Sequence, residues 1–174
     1  MMQLTHRTKN LALLSALMLT ALGWTAPAQA LDTPKGKVIL TVKGKLGDSN
    51  RNGTAVFDLA MLQALPQKTF TTMTPWEKTP IKFSGPLLRD VLAAVKAEGQ
   101  TLRAVALNDY KITIPIEDTQ KFDVIMALKM NDQPIPVRTK GPLFVVYPFD
   151  SQPALQNATY FERSIWQLGS LVIE

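Results

Sequence analysis

Three stretches of the chain place large aromatic and cationic side chains where a packed core has no use for them. They are Met73-Thr74-Pro75-Trp76, Val137-Arg138-Thr139-Lys140-Gly141 and Phe161-Glu162-Arg163-Ser164-Ile165-Trp166. Trp76 follows a proline in a polar loop, where an exposed indole leaves a large apolar surface bare unless something covers it. Arg138 offers a planar fork of donors and Lys140 a point charge, a pairing suited to gripping an anion or a carbonyl. Arg163 and Trp166 are three apart, so in a helix or turn they share a face and can pack together against one flat ligand. Asn108-Asp109-Tyr110 adds donors and acceptors at a single turn. With Tyr147, Phe161 and Glu162 these residues read as a pocket that holds a flat heterocycle between aromatics and meets its edge with polar groups. Each also has a plainer reading: Trp76 as a lid on the core, Arg138 and Lys140 on a solvated loop, Arg163 and Trp166 as a cation–π anchor for the end of the fold.

Several kinds of chemistry are disfavoured by composition. The chain contains no Cys and a single His, His6, which falls in the N-terminal segment. Zinc, copper, His-ligated haem, iron–sulfur clusters and Ser-His-Asp or Cys-His nucleophilic catalysis are disfavoured together. No acidic loop has the ligand spacing of a hard-cation site. No basic run is interleaved with aromatics in the manner of a nucleic-acid surface, so nucleic acid is not an expected partner.

The first 30 residues have the three parts of a secretory signal peptide: basic Arg7 and Lys9, an apolar run over 11–22, and the small-x-small site Ala28-Gln29-Ala30. The apolar run is short of the roughly 20 residues that cross a bilayer. No Cys follows it, which excludes a lipoprotein anchor. Cleavage after Ala30 leaves a domain over 31–174, and loss of Arg7 and Lys9 lowers the formal net charge of +5 by two, to +3. The expected location is the periplasm, and without Cys the exported domain is held by its core alone.

The elements that must position the candidate residues follow from periodicity. A β-branched run over 38–42 and the Gly/Asn-rich turn at 47–53 open a hairpin. Residues 57–65 have helical spacing with Asp58 as N-cap and Pro66 as the stop. The segment 69–74 alternates as a strand, and 86–98 reads as a second helix with Leu88, Val91, Leu92 and Val95 in one stripe and Gly99 as its punctuation. Strands are expected over 101–107, 111–116, 124–130 and 143–147, the last in the core, with a polar segment at 117–120 and an irregular proline-rich loop at 134–141. Residues 160–166 precede a closing strand at 170–173. The plain reading is one α+β domain with more strand than helix, uninterrupted by repeat or linker.

The order of segments resembles the molybdopterin-binding domain of the sulfite oxidase family. Residues 82–92, KFSGPLLRDVL, resemble its W-x-G-v-x-L-x-d-v-L element, and LNDYKITIPI at 107–116 its strand ending s-i-P-l. MNDQPIP at 130–136 is similar to M-N-G-x-P-L-P, RTKGP at 138–142 to R-D-H-G-x-P, and RSIWQL at 163–168 to R-x-V-K-W-L. The resemblance covers residues 55–174. It implies that family's fold and a cofactor cleft around Trp76, Arg138, Arg163 and Trp166.

Departures from the pattern bear on function. The family's molybdenum ligand is a Cys just after the strand that here spans 69–74, and this chain reads Thr74-Pro75-Trp76. The His of R-D-H-G is Lys140 and the Lys of V-K-W is Trp166, so an aromatic surface replaces a cationic contact to the phosphate tail. The resemblance therefore implies a free pterin as ligand, without molybdenum. A Cys-less branch of small exported proteins of this fold binds pterins and passes their presence to membrane enzymes that make or degrade cyclic di-GMP. By that resemblance the expected partner is the periplasmic domain of a diguanylate cyclase or phosphodiesterase. A carboxylate, Asp109 or Glu162, could pair in bidentate fashion with the N–H groups of the aminopyrimidinone edge. A small molybdopterin-dependent oxidoreductase, or its subunit, is the alternative, and a ligand-free structural domain a third reading.

Overall fold

The computed structural model describes residues 31–174; the expected signal peptide lies outside them. The β-branched run forms β1 (Val38–Gly44), and the hairpin after it returns as β2 (Ala55–Asp58), all four residues of which are buried. Asp58 ends that strand and caps α1 (Leu59–Ala64), its Oδ1 accepting from the Met61 N–H at 2.9 Å. The helix expected from residue 57 thus begins two residues later, because Phe57 and Asp58 pair with β1. Oδ2 of Asp58 accepts from the backbone N–H groups of Gly36 at 2.7 Å and Lys35 at 2.8 Å.

β3 (Gln67–Thr72) pairs along its whole length with β4 (Ile81–Pro86). β4 is absent from the sequence reading, although buried Ile81 and Phe83 alternate with exposed Lys82. A Cβ on its Gly85 would stand 2.0 Å from the Met126 carbonyl oxygen, so only glycine admits the backbone passing there. α2 (Leu88–Ala94) is shorter than expected. Lys96, at φ +48°, ends it in the left-handed conformation. The Lys96 N–H reaches the Ala93 carbonyl and the Ala97 N–H the Leu92 carbonyl, both at 3.0 Å. This is a Schellman stop built on lysine, three residues before the expected Gly99.

β5 (Thr101–Ala106) and β6 (Lys111–Pro115) form the second hairpin, and the polar segment after them is helical, α3 (Ile116–Lys121). The single strand expected over 124–130 divides at Leu128 into β7 (Ile125–Ala127) and β8 (Lys129–Met130), which join different sheets. β9 (Gln133–Pro134), β10 (Phe144–Val146), α4 (Ala158–Arg163) and β11 (Leu168–Ile173) complete the order.

The sheets have orders β2-β1-β11-β5-β6, β3-β4-β8-β9 and β10-β7. β11 is central in the first and runs parallel to β1, pairing Thr41 with Ser170. Fully buried Leu40, Phe57, Phe83, Leu88, Leu102, Phe144 and Tyr147 lie in one continuous core. The fold is a single α+β domain with more strand than helix, as the sequence implies.

The hydrogen bond from Met61 N–H, then that from Gly36, holds the Asp58 carboxyl below its ordinary value of 3.8. A depressed carboxylate pKa adds stability above the unfolded value and loses it as pH falls through the folded one. Acid unfolding followed from pH 5 downward should therefore be shallower in Asp58→Asn than in the parent. Parallel curves would remove Asp58 as a source of the acid sensitivity.

Candidate functional site

The exit of β3 is clamped from both sides of one residue. Met73 N–H donates to Oδ2 of Asp150 at 2.7 Å, and Asp150 N–H donates to the Thr72 hydroxyl at 3.0 Å. The turn that follows carries Pro75 and Trp76 across the core. Trp76 is half-buried, its ring centroid 5.9 Å from Phe144, 6.4 Å from Phe149 and 6.4 Å from Phe161. Thr74 beside it is buried, and its hydroxyl has no partner.

Trp166 reaches the same place from the other end of the chain. α4 starts at Asn157, whose side chain accepts from the Thr159 N–H, and stops at Ser164. The Val145 N–H bonds the Ile165 carbonyl at 2.9 Å, and Gln167, at φ +50°, is held between the Leu107 N–H and the Lys140 carbonyl. So fixed, the Trp166 ring stands 5.4 Å from that of Trp76 and nearly perpendicular to it, at 88°. The two indoles form a corner.

That corner walls a cavity of about 380 Å³, completed by Phe161, Glu162, Ser164 and Ile165, by Ala106 of β5, and by Asn108 and Tyr110 from the β5–β6 turn. The Tyr110 N–H donates to Oδ1 of Asn108 at 3.2 Å, which leaves the Asn108 Nδ2 as a donor. The volume lies in the range of roughly 300–1,000 Å³ usual for small-molecule sites. Its walls are mainly apolar, with four aromatic rings among the nine lining residues.

Of the eleven residues expected at the site, Trp76, Asn108, Tyr110, Phe161, Glu162 and Trp166 line this cavity. Asp109, Arg138, Lys140, Tyr147 and Arg163 do not, each for a physical reason. Asp109 occupies the left-handed corner of its turn, at φ +64°, and is exposed. Arg138 is exposed on the 135–141 loop and makes no ion pair or side-chain hydrogen bond among the described residues. Lys140 pairs with Glu77, which binds that loop to the Trp76 turn.

Arg163 and Trp166 were expected to share a face. The helix ends at Arg163, however, so the two diverge. Arg163 turns inward and donates to Oδ2 of Asp118 on α3 at 2.8 Å, its guanidinium 5.5 Å from the Tyr160 ring centre. Tyr147 is fully buried, and its hydroxyl donates to the same oxygen at 2.7 Å. Burial, and then the bond to Asp118, push the phenol far above its ordinary pKa, which keeps it a donor. Asp118 was missed by the sequence reading; a polar segment gave no sign that one acid would claim two candidate site residues. Ala106, Ser164 and Ile165 were missed as lining residues because they are small or apolar and look like core.

The family model of the oxidoreductase molybdopterin binding domain matches residues 39–150. The chain belongs to that family. No curated protein matches it. The matched span contains Trp76, Ala106, Asn108 and Tyr110, while the wall from Phe161 to Trp166 lies beyond it.

The family's group can be tested against the donors present. Among the described residues no group of three or more His, Cys, Asp or Glu could hold a metal ion, and the cavity lining contains no thiol and no imidazole. Nor does any Lys or Arg line the cavity to meet a phosphate. The lining thus accommodates the pterin ring of molybdopterin, but presents no cation to its phosphate and no thiolate to its metal.

Arg163→Ala would leave Asp118 buried with Tyr147 as its one side-chain donor. The expected loss of stability is about 3 kcal/mol, in the range for removing one partner of a buried pair. A lowered urea midpoint at constant slope would report it. A loss under about 1 kcal/mol would make the pair energetically a surface contact.

Proposed function

We propose that the chain is a periplasmic pterin-binding protein that senses its ligand and relays occupancy to a membrane enzyme making or degrading cyclic di-GMP. The observation that carries the binding reading is the perpendicular pair Trp76 and Trp166, 5.4 Å apart, at the wall of an aromatic cavity without a cation. One indole offers a face for a flat ring, and the other closes the corner at its edge. Asn108, Tyr110 and Glu162 supply polar groups to the perimeter. A pterin is flat and carries donors and acceptors around its rim. The family match supports the ring class, because the domain's cofactor contains a pterin.

The location rests on residues 1–30, with their basic start, apolar run and Ala28-Gln29-Ala30. Among the described residues no helix is long and apolar enough to cross a membrane. N-terminal sequencing of the exported protein is expected to begin at Leu31, and an intact Met1 would count against export. The relay rests on the likeness to the Cys-less exported branch. It requires that ligand binding alter a surface the partner touches, and the turns that line the cavity are the segments nearest the ligand.

The binding reading is tested at Trp166. If the indole stacks on the ring, Trp166→Ala should weaken pterin binding by about 1–3 kcal/mol, taking aromatic stacking on nucleobases as the analogue. That is roughly five- to 150-fold in affinity. Were Trp166 only a core residue, truncation would instead cost roughly 3–5 kcal/mol of stability. Thermal unfolding and pterin fluorescence titration on the same variant separate the two. Protein isolated from its native host should carry a fluorescent pteridine; stoichiometric molybdenum in that preparation would overturn the metal-free reading.

A further inference from the structure

Glu162 is the single carboxylate lining the cavity, and its side chain makes no ion pair or hydrogen bond with any described residue. Two cations of the expected site are held elsewhere. Arg163, its neighbour on α4, is bound to Asp118, and Lys140 is bound to Glu77. Its rival, Asp109, is exposed on the turn and does not line the cavity. A carboxylate is an acceptor without a donor, and its two oxygens accept two parallel hydrogen bonds. Asn108 presents the opposite character, since its Oδ1 is occupied by the Tyr110 N–H. The cavity thus offers an acceptor pair on α4 and a donor on the β5–β6 turn, between indole walls.

Resting on the pterin-binding reading above, we propose that Glu162 determines specificity by accepting two hydrogen bonds from the 2-amino group and N3–H of a 2-amino-4-oxopteridine. The site thereby selects aminopteridines over dioxopteridines and over phosphorylated ligands. In lumazine a carbonyl replaces the 2-amino group, so the carboxylate gains one hydrogen bond and faces a lone pair. The loss of one charge-assisted bond, with an acceptor left against an acceptor, amounts to about ten- to hundredfold in affinity. A phosphate on the ligand would enter a cavity whose one charged lining group is negative. The Glu162 carboxylate therefore selects against it.

The test uses 6-hydroxymethylpterin and 6-hydroxymethyl-lumazine, each titrated into the parent protein and into Glu162→Gln at a pH where both ligands are neutral. The parent is expected to prefer the pterin by about ten- to hundredfold. A glutamine amide offers one acceptor and one donor, which match N3–H and the 2-oxo group of lumazine. Glu162→Gln should therefore lose the preference or reverse it, with thermal unfolding unchanged because the residue is exposed. A pterin-to-lumazine ratio that is the same in both proteins overturns the assignment of Glu162, as does a parent without preference. A parent that binds neither pteridine overturns the pterin-binding reading itself, which distinguishes the two failures.

Discussion

One carboxylate oxygen, Oδ2 of Asp118, accepts from the Tyr147 hydroxyl and the Arg163 guanidinium at once. Tyr147 follows β10 in the centre of the core, Arg163 ends α4, and Asp118 lies on α3. The bond pair therefore fixes the last helix against elements already built into the core. α4 is six residues long, too short to be stable on its own. Without this anchor, the helix carrying Phe161 and Glu162 would be held by its cap and aromatic contacts alone, and the third wall of the corner made by Trp76 and Trp166 would be loosened. Breaking one partner of a buried pair leaves a charge that the interior cannot solvate. The position of the cavity wall is thus tied to the stability of the domain.

Aromatic contacts carry that constraint outward. Tyr147 stacks with Phe149 at 6.4 Å, Phe149 meets Phe161 at 5.0 Å, and Phe161 meets Trp76 at 6.4 Å. These rings are rigid bodies with two side-chain torsions each, and mixed edge-on and tilted contacts between them resist sliding. A flat ligand entering the corner meets a preformed surface, and little ordering is left to oppose binding.

How much could be read from the chain differs by element. Asp58 as a cap, the hairpin turn at Asn108-Asp109 and the buried run ending at Tyr147 were legible, because capping, turn formation and continuous apolarity are local properties. β4 was not, since the prolines at 80 and 86 masked its alternation, and the helix stop at Lys96 was assigned to Gly99 because lysine seldom takes a left-handed backbone. At the site the aromatic residues were found from their type and their placement in loops. The direction of Arg163 was not legible, since it depends on where α4 ends and on an acid 45 positions earlier in the chain. Lys140 shows the same limit: its charge is visible in sequence, but its partner Glu77 is a matter of tertiary structure.

The place of β11 sets the order in which this molecule can be made. It is hydrogen-bonded to β1 on one side and β5 on the other, so the five-stranded sheet has a gap at its centre until residues 168–173 arrive. Pairing Thr41 with Ser170 closes a loop that spans nearly the whole domain, and such distant contacts slow folding relative to local ones. Early segments cannot settle into the native sheet while the C-terminal segment is missing. Under the export proposed above, the same topology would keep the chain from completing its sheet until its last strand had crossed the membrane.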